Sequence, residues 1–237
     1  MSLSARCTPE TGIMVGMPEQ PRVERFEDLV DRASRLVPAR GRALLGVAGA
    51  PGAGKTTLAL ALVRALTATG LPVVHVPMDG FHLADVELAR LGRRDRKGAP
   101  DTFDAAGYAA LLQRLRGAPA REPGPVYAPA FDREIEQPVA GSVPVPAECR
   151  LVVSEGNYLL VDTPPWRAVR AAFDEIWFHE TDQALRRERL VARHVRFGKS
   201  PEHARAWVER TDEPNARLVE TSRGRADLVV TCADLPA

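Results

Sequence analysis

The sequence predicts an α/β fold in which helices cover a mainly parallel sheet. Short apolar runs with the character of strands alternate with helical patterns along the chain, as is typical of parallel strands joined by helical crossovers. The runs lie at 44–48, 73–77, 150–154, 175–178 and 225–230. The chain has 237 residues, of which 45% are hydrophobic and 27% charged, and we predict a single domain over 1–237.

Helical patterns fill the intervals between these strands. Apolar residues from Val23 to Leu36 recur at helical spacing, and Pro38 ends the pattern before the first strand. Further helices are predicted after the first strand, at 108–115, from 164, at 182–198, from 201 and from 214. Residues 1–20 lack periodicity, which predicts a flexible leader. Residues 117–146 are rich in Pro and Gly, and we expect an inserted lobe or hairpin on the substrate side of the site.

Composition argues against several classes of protein. A formal net charge of +1 disfavours a broad basic surface for nucleic acid. The three cysteines lack metal-ligand spacing and fit reduced thiols in a cytosol. No apolar run reaches the length of about 18 residues that a membrane span needs, and no signal-like segment opens the sequence. We therefore expect a cytoplasmic protein that binds neither nucleic acid nor membrane.

A glycine-rich stretch between the first strand and the next helix predicts a phosphate-binding loop. It fits the Walker A pattern and consists of Gly49, Ala50, Pro51, Gly52, Ala53, Gly54, Lys55, Thr56 and Thr57. Glycines let backbone N–H groups turn toward an anion, and the helix adds the positive end of its dipole. Lys55 would reach the β- and γ-phosphates, and the Thr56 hydroxyl would ligate Mg²⁺. The alternative is a glycine-rich loop that binds nothing, and the stretch alone indicates nucleotide binding rather than catalysis.

An acidic residue follows each of two other predicted strands. Asp79 comes after the strand at 73–77, and Glu155 comes after the strand at 150–154. Because ligands gather at the carboxyl ends of parallel strands, both carboxylates are expected near the phosphates. Asp79 can accept a proton from an attacking hydroxyl or hold the metal through water, and Glu155 can orient Mg²⁺ or bind a substrate hydroxyl. The competing interpretations are a helix-capping aspartate and a structural acid at a strand end.

A line of arginines marks the helix predicted at 182–198. The arginines are spaced by 3, 4 and 3 residues and share one face, while apolar residues occupy the opposite face. The arginines are Arg186, Arg189, Arg193 and Arg196, and the apolar residues are Ala184, Val191 and Val195. We expect the apolar face to pack and the arginines to clamp a triphosphate and offset charge during phosphoryl transfer. A solvated arginine face and a nucleic-acid contact are the alternatives.

These features, in their order along the chain, resemble the P-loop small-molecule kinases, a family that includes uridine kinase, bacterial pantothenate kinase and phosphoribulokinase. The resemblance runs from about Arg42 to Val230. It is carried by the phosphate-binding loop, Asp79-Gly80-Phe81, the segment 96–104, Glu155-Gly156 after a Walker B-like strand, the arginine-rich helix and the ending 225–230. Each motif is modest alone, whereas the ordered set is specific.

The resemblance implies a P-loop NTPase three-layer sandwich, nucleoside-kinase-like, with a five-stranded parallel core and an arginine-rich lid at 182–200. It also implies ATP as phosphoryl donor, Mg²⁺ as cofactor and a small-molecule substrate, and it leaves a homodimer open. Asp79 would be the catalytic base, assisted by Lys55, Arg186, Arg189 and Arg193. The implied substrate side has Phe81, Lys97, Tyr127 and Glu155; the implied metal ligands are Thr56, Asp79 and Glu155; and Asn215 would lie near the adenine.

We therefore predict an ATP-dependent kinase that acts on a hydroxyl of a nucleoside, pantothenate-like or sugar-like acceptor. Residues 120–150 contain no histidine, which weakens both a pantothenate kinase and a uridine kinase assignment. The alternative is a P-loop nucleotide switch or metallochaperone that acts through a protein partner. The guanine-reading pattern Asn-Lys-x-Asp does not support it, because Asn157 precedes Tyr and Asn215 precedes Ala. A catalytically inactive relative is a third hypothesis.

Overall fold

The computed structural model describes residues 22–23, 25–117 and 124–231. The predicted leader at 1–20 and residues 118–123 of the predicted lobe lie outside the described residues. The strands are β1 Arg22–Val23, β2 Ala43–Ala48, β3 Val73–His75, β4 Val126–Asp132, β5 Gln137–Val145, β6 Leu151–Gly156, β7 Glu175–His179 and β8 Leu228–Val230. The helices are α1 Phe26–Arg35, α2 Lys55–Ala68, α3 Asp85–Arg90, α4 Ala105–Gly117, α5 Trp166–Ala171, α6 Gln183–Arg196, α7 Pro201–Trp207 and α8 Glu213–Ser222.

A parallel sheet forms the centre of the fold, with strands in the order β1-β8-β7-β2-β6-β3. Every residue of β2 and β6 is buried, because helices cover both faces of the sheet. The five strands predicted from the apolar runs are present, so the predicted α/β fold with a five-stranded parallel core is confirmed. The edge strand β1 was not predicted. Its Val23 pairs with Val230 instead of beginning a helix, and α1 starts only at Phe26.

Two helical layers enclose the sheet. On one face, α1 and α2 bury Leu29, Leu58 and Leu62 against the strands. On the other face, α4, α5 and α8 contribute to a second core, which contains Leu112, Val169 and Val219. Among the helices in the described part of the chain, none has the length and apolar character needed to cross a membrane.

An antiparallel hairpin of β4 and β5 stands apart from the sheet and packs over a 3₁₀ turn, Met78–Phe81. The contact is close at Gly80, where an added Cβ would lie 2.3 Å from the Pro129 carbonyl oxygen. Glycine is therefore the residue that lets the hairpin pass directly over the turn after β3.

Candidate functional site

The glycine-rich loop joins β2 to α2 and curls around the start of the helix. Gly52 and Gly54 have φ angles of +82° and +90°, in the left-handed region that glycine adopts without strain. At Gly52 an added Cβ would also lie 2.7 Å from Leu190 Cγ and 2.8 Å from the Arg186 carbonyl oxygen, so the loop packs directly on α6. The buried Lys55 donates from Nζ to the Ala50 carbonyl oxygen at 3.0 Å. Burial lowers the Lys55 pKa to about 8, although Glu155 and Asp79 act in the opposite direction.

A cavity of about 430 Å³ opens above this loop. Its walls come from the loop, the segment after β3, the hairpin, α6 and the chain around α7 and α8. The predicted site residues that line it are Pro51, Gly52, Lys55, Thr56, Asp79, Lys97, Glu155, Arg193 and Asn215. The fold therefore brings together residues that lie up to 164 positions apart in the sequence, from Pro51 to Asn215.

Asp79 lies in the 3₁₀ turn that follows β3. Its Oδ2 accepts a hydrogen bond of 2.9 Å from Arg133 Nη2 on the hairpin. Burial raises the Asp79 pKa, but the charges of His82, Arg133 and Lys55 outweigh it, so the pKa lies below its ordinary value. Asp79 is therefore ionised at neutral pH and can accept a proton or a hydrogen bond.

Glu155 reaches the same cavity from the next strand. It lies in β6 opposite Val47 of β2, which places its side chain beside the phosphate-binding loop. Burial and the negative charge of Asp79 raise the Glu155 pKa to about 7, partly offset by Lys55 and by a hydrogen bond with the Thr56 side chain. Two carboxylates thus face one cavity with opposite pKa shifts.

The oxygen donors of this cavity fit a magnesium ion. The Thr56 hydroxyl and the carboxylates of Glu155 and Asp79 line the same cavity. Mg²⁺ prefers hard oxygen ligands and is usually held by one or two carboxylates together with substrate phosphates. The donor set matches that preference, and no cluster of three or more His, Cys, Asp or Glu side chains arranged for metal binding occurs among the described residues.

Helix α6 orients its arginines differently from the sequence prediction. We expected an apolar packing face, but Ala184 is exposed and Val195 is 38% exposed, whereas Arg186 is only 4% exposed. Arg186 donates to the Pro51 carbonyl oxygen and forms a short ion pair with Glu213. Arg186 is buried because the carbonyl of the loop and the carboxylate of α8 satisfy its charge. The predicted packing face is therefore wrong.

The remaining predicted arginines occupy different surroundings along α6. Arg189 is exposed, but its Nη1 would lie 3.5 Å from a Cβ added at Gly54, which places it beside the loop. Arg193 lines the cavity two turns after Arg186. Burial, followed by the charge of Arg133, lowers the Arg193 pKa below its ordinary value. Arg193 is thus the arginine of this helix that faces the candidate carboxylates.

Two predicted substrate-binding residues do not line the cavity. Phe81 packs in the core, with its ring centroid 4.9 Å from that of Tyr108. Tyr127 is 57% exposed, because alternate residues of β4 point to opposite faces and its neighbours Val126 and Ala128 are buried. Among the loop residues, Gly49, Ala50, Ala53, Gly54 and Thr57 shape or flank the loop without lining the cavity.

Lys97 and Asn215 both line the cavity, and polar contacts hold each of them in place. Lys97 Nζ forms an ion pair of 2.6 Å with Asp85 Oδ1 and donates a short hydrogen bond to the Glu136 carbonyl oxygen in the hairpin turn. Asn215 Nδ2 donates to the Gly98 carbonyl oxygen at 3.3 Å. These bonds tie the 94–98 segment to both the hairpin and α8.

The polar residues that line the cavity but were not predicted as site residues include Arg133, His82 and Asp85. Arg133 belongs to the hairpin, and its partner Asp79 lies 54 residues earlier, so local spacing could not join them. His82 lies between the rings of Phe103 and Phe131, at centroid distances of 4.0 and 4.7 Å. The short fragment at 130–133 within the Pro- and Gly-rich segment was the available signal for Arg133.

Comparison with known proteins identifies relatives over most of the chain. The family model described as "Phosphoribulokinase / Uridine kinase family" matches residues 44–234. A Schizosaccharomyces pombe protein, provisionally named a uridine kinase, is 33% identical over 220 residues, which cover 90% of this chain and 92% of that protein.

Two solved structures are similar to this chain over most of its length. A crystal structure from Silicibacter sp. TM1040, provisionally named a fructose transport system kinase, is 39% identical with a TM-score of 0.79, and the match covers 87% of this chain and 99% of that chain. YFH7 from Saccharomyces cerevisiae has a TM-score of 0.73 at 17% identity, covering 89% of this chain and 99% of that chain. The latter similarity concerns the fold alone.

Proposed function

The chain belongs to the phosphoribulokinase/uridine kinase family, and from this premise we propose that it is an ATP-dependent kinase of a small metabolite. The reaction would transfer the γ-phosphoryl group of ATP to a hydroxyl group. The observation that carries the proposal is the ionised Asp79 in one cavity with the phosphate-binding Lys55. A nucleotide binder needs only the loop, whereas a kinase also needs a carboxylate that can orient and deprotonate an acceptor.

In the proposed reaction the acceptor hydroxyl lies against Asp79. Its oxygen forms a bond to the γ-phosphorus while the bond from the γ-phosphorus to the β–γ bridging oxygen breaks. ADP leaves with that electron pair, and the hydroxyl proton passes to the Asp79 carboxylate. Arg133 holds this carboxylate at 2.9 Å, so the base has a defined orientation before the acceptor arrives.

Positive groups on two walls would offset the charge on the transferred group. Lys55 approaches from the loop and Arg193 from α6, and both line the cavity. Arg189 lies beside the loop, while Arg186 is engaged with Glu213 and anchors the helix. Of the three arginines in the proposed lid, we therefore assign to Arg193 the role of stabilising negative charge on the transferred phosphoryl group.

Thr56, Glu155 and Asp79 would hold Mg²⁺, which when bound would supply positive charge that polarises the phosphate groups. All three oxygen donors line the cavity that the phosphate-binding loop borders.

Replacement of the base tests the proposal. Asp79→Asn should bind ATP as the unchanged protein does, yet lower acceptor-dependent ADP release by about 10²-fold or more, because the amide cannot accept the proton. A screen of ADP release over nucleosides, sugars, sugar phosphates and hydroxy acids would first identify an acceptor. Equal rates for the variant and the unchanged protein would contradict the role of Asp79. Equal binding of ATP and GTP without ADP release on any acceptor would favour the nucleotide switch instead.

A further inference from the structure

The side of the cavity next to Asp79 contains an arginine with unused hydrogen-bonding capacity. Arg133 donates to Asp79 through Nη2, and no further hydrogen bond from its side chain occurs among the described residues. A guanidinium carries five N–H donors in a planar fork that matches a carboxylate or phosphate. Because the Arg133 side chain is 39% exposed and lines the cavity, its remaining donors are accessible to a ligand there.

A second arginine lines the same cavity from another element of the fold. Arg193 lies on α6, whereas Arg133 lies on the hairpin. No carboxylate within 4.0 Å neutralises Arg193 in the part of the chain that the structure describes. Two guanidinium groups that share one partly buried cavity repel each other, and an anion between them would relieve that repulsion.

Two other cations near the hairpin, Lys97 and Arg94, are paired with a different carboxylate, Asp85. Lys97 pairs with Asp85 at 2.6 Å, and Arg94 pairs with the same carboxylate at 3.2 Å. Lys97 and Arg133 also lie 5.4 and 5.7 Å from the centroid of the Phe131 ring. Both cations lie beside this ring, but Arg133 is the one that contacts Asp79 and lines the cavity with donors left over.

We propose that the acceptor is an anionic hydroxy compound, whose hydroxyl binds Asp79 while its carboxylate or phosphate binds the open edge of Arg133. This inference rests on the kinase function proposed above and specifies its substrate class. The 2.9 Å contact between Arg133 and Asp79 requires the hydroxyl and the anionic group to lie only a few bonds apart in the acceptor. Neutral nucleosides and neutral sugars supply the hydroxyl but leave the open edge of Arg133 without an anion.

Matched pairs of acceptors test this specificity. ADP release would be measured with glycerate against glycerol, with ribose 5-phosphate against ribose, and with uridine as a neutral nucleoside. We expect the anionic member of at least one pair to have a kcat/KM about 10²-fold or more above its neutral partner. The glycerate and ribose 5-phosphate pairs distinguish a carboxylate from a phosphate as the recognised group.

Arg133→Gln should abolish this preference. Loss of the ion pair with Asp79 can lower kcat for every acceptor, so the diagnostic quantity is the ratio of kcat/KM between anionic and neutral members. We expect the ratio to fall to within about threefold of unity, with Arg133→Lys retaining part of it and the Kd for MgATP changing by less than about threefold. Arg167→Gln is the matched control, because Arg167 is 65% exposed and pairs with Asp162 at 2.7 Å outside the cavity.

The possible outcomes separate the two proposals. Faster turnover of the neutral members, or an unchanged ratio in Arg133→Gln, would overturn the anionic acceptor and leave the kinase function standing. A large loss of MgATP affinity in Arg133→Gln would assign Arg133 to the nucleotide instead and also overturn the inference. ADP release on no acceptor in the panel or the wider screen would overturn the kinase function and, with it, this inference.

Discussion

Removing the charge of Glu155 should stabilise the ligand-free protein while impairing its activity. Glu155 is 5% exposed, and burial together with Asp79 raises its pKa from 4.5 to about 7. A raised carboxyl pKa means that folding favours the protonated form. The resulting destabilisation is absent well below pH 4.5, grows between pH 4.5 and 7, and is fully present above pH 7. Glu155→Gln keeps the shape of the side chain and removes this cost.

The structure sets the size of the effect. Each pKa unit corresponds to about 1.4 kcal/mol, so the raised Glu155 pKa lowers the free energy of unfolding by about 3 kcal/mol at pH 8. We expect Glu155→Gln to raise the free energy of unfolding by about 1–3 kcal/mol at pH 8, since the amide still needs a hydrogen-bond partner. At pH 5 the gain should shrink to less than about 1 kcal/mol, because part of the ionisation cost has disappeared.

Urea unfolding without nucleotide, followed at pH 5 and pH 8, measures both values. Ligand must be absent because binding to the folded state would itself add stability. The exposed Glu148 provides a matched control, and Glu148→Gln should leave stability within about 0.5 kcal/mol at both pH values. A Glu155→Gln protein that is no more stable at pH 8, or that gains equally at both pH values, would refute the electrostatic reasoning.

Three further predictions concern the packing of the hairpin, the buried Arg42 and the metal. Gly80→Ala should destabilise the fold by about 1–3 kcal/mol in urea unfolding, because the new Cβ would meet the Pro129 carbonyl at 2.3 Å. Arg42→Leu should cost about 3 kcal/mol or more in thermal unfolding, because the buried guanidinium donates to three carbonyls, those of Cys149, Leu115 and Pro146. EDTA should abolish ADP release and added Mg²⁺ should restore it; full turnover in EDTA would contradict the metal assignment.

Much of the fold could be predicted because its signals are local. The strands at 44–48 and 150–154 are continuous apolar runs, as expected for strands buried on both faces, and they pair side by side in the structure. The phosphate-binding loop follows from its glycines, Lys55 and Thr56 and from its place between a strand and a helix. The hairpin was harder to predict from the sequence, because its strands carry several polar and exposed residues and lie among prolines and glycines.

The candidate site was predicted less completely because its partners are remote in sequence. Asp79 and Glu155 follow from strand ends, but Arg133 reaches Asp79 across 54 residues. The packing face of α6 was predicted wrongly because hydropathy assigned its apolar residues, Ala184, Val191 and Val195, to the packed side. Glu213, 27 residues further on, provides the buried partner of Arg186, and no periodic pattern within the helix records that contact.

The contact between the phosphate-binding loop and α6 has a consequence for engineering this protein. Gly52 lies so close to Leu190 and to the Arg186 carbonyl that even a methyl group has no room between them. The first half of α6 is therefore closely packed against the loop. The second half, which carries Arg193, continues toward the cavity. A chimera that imports a foreign α6 must bring a compatible loop with it. A chimera that exchanges only the second half of α6 should have its boundary after Leu190, the last residue of the helix in contact with Gly52.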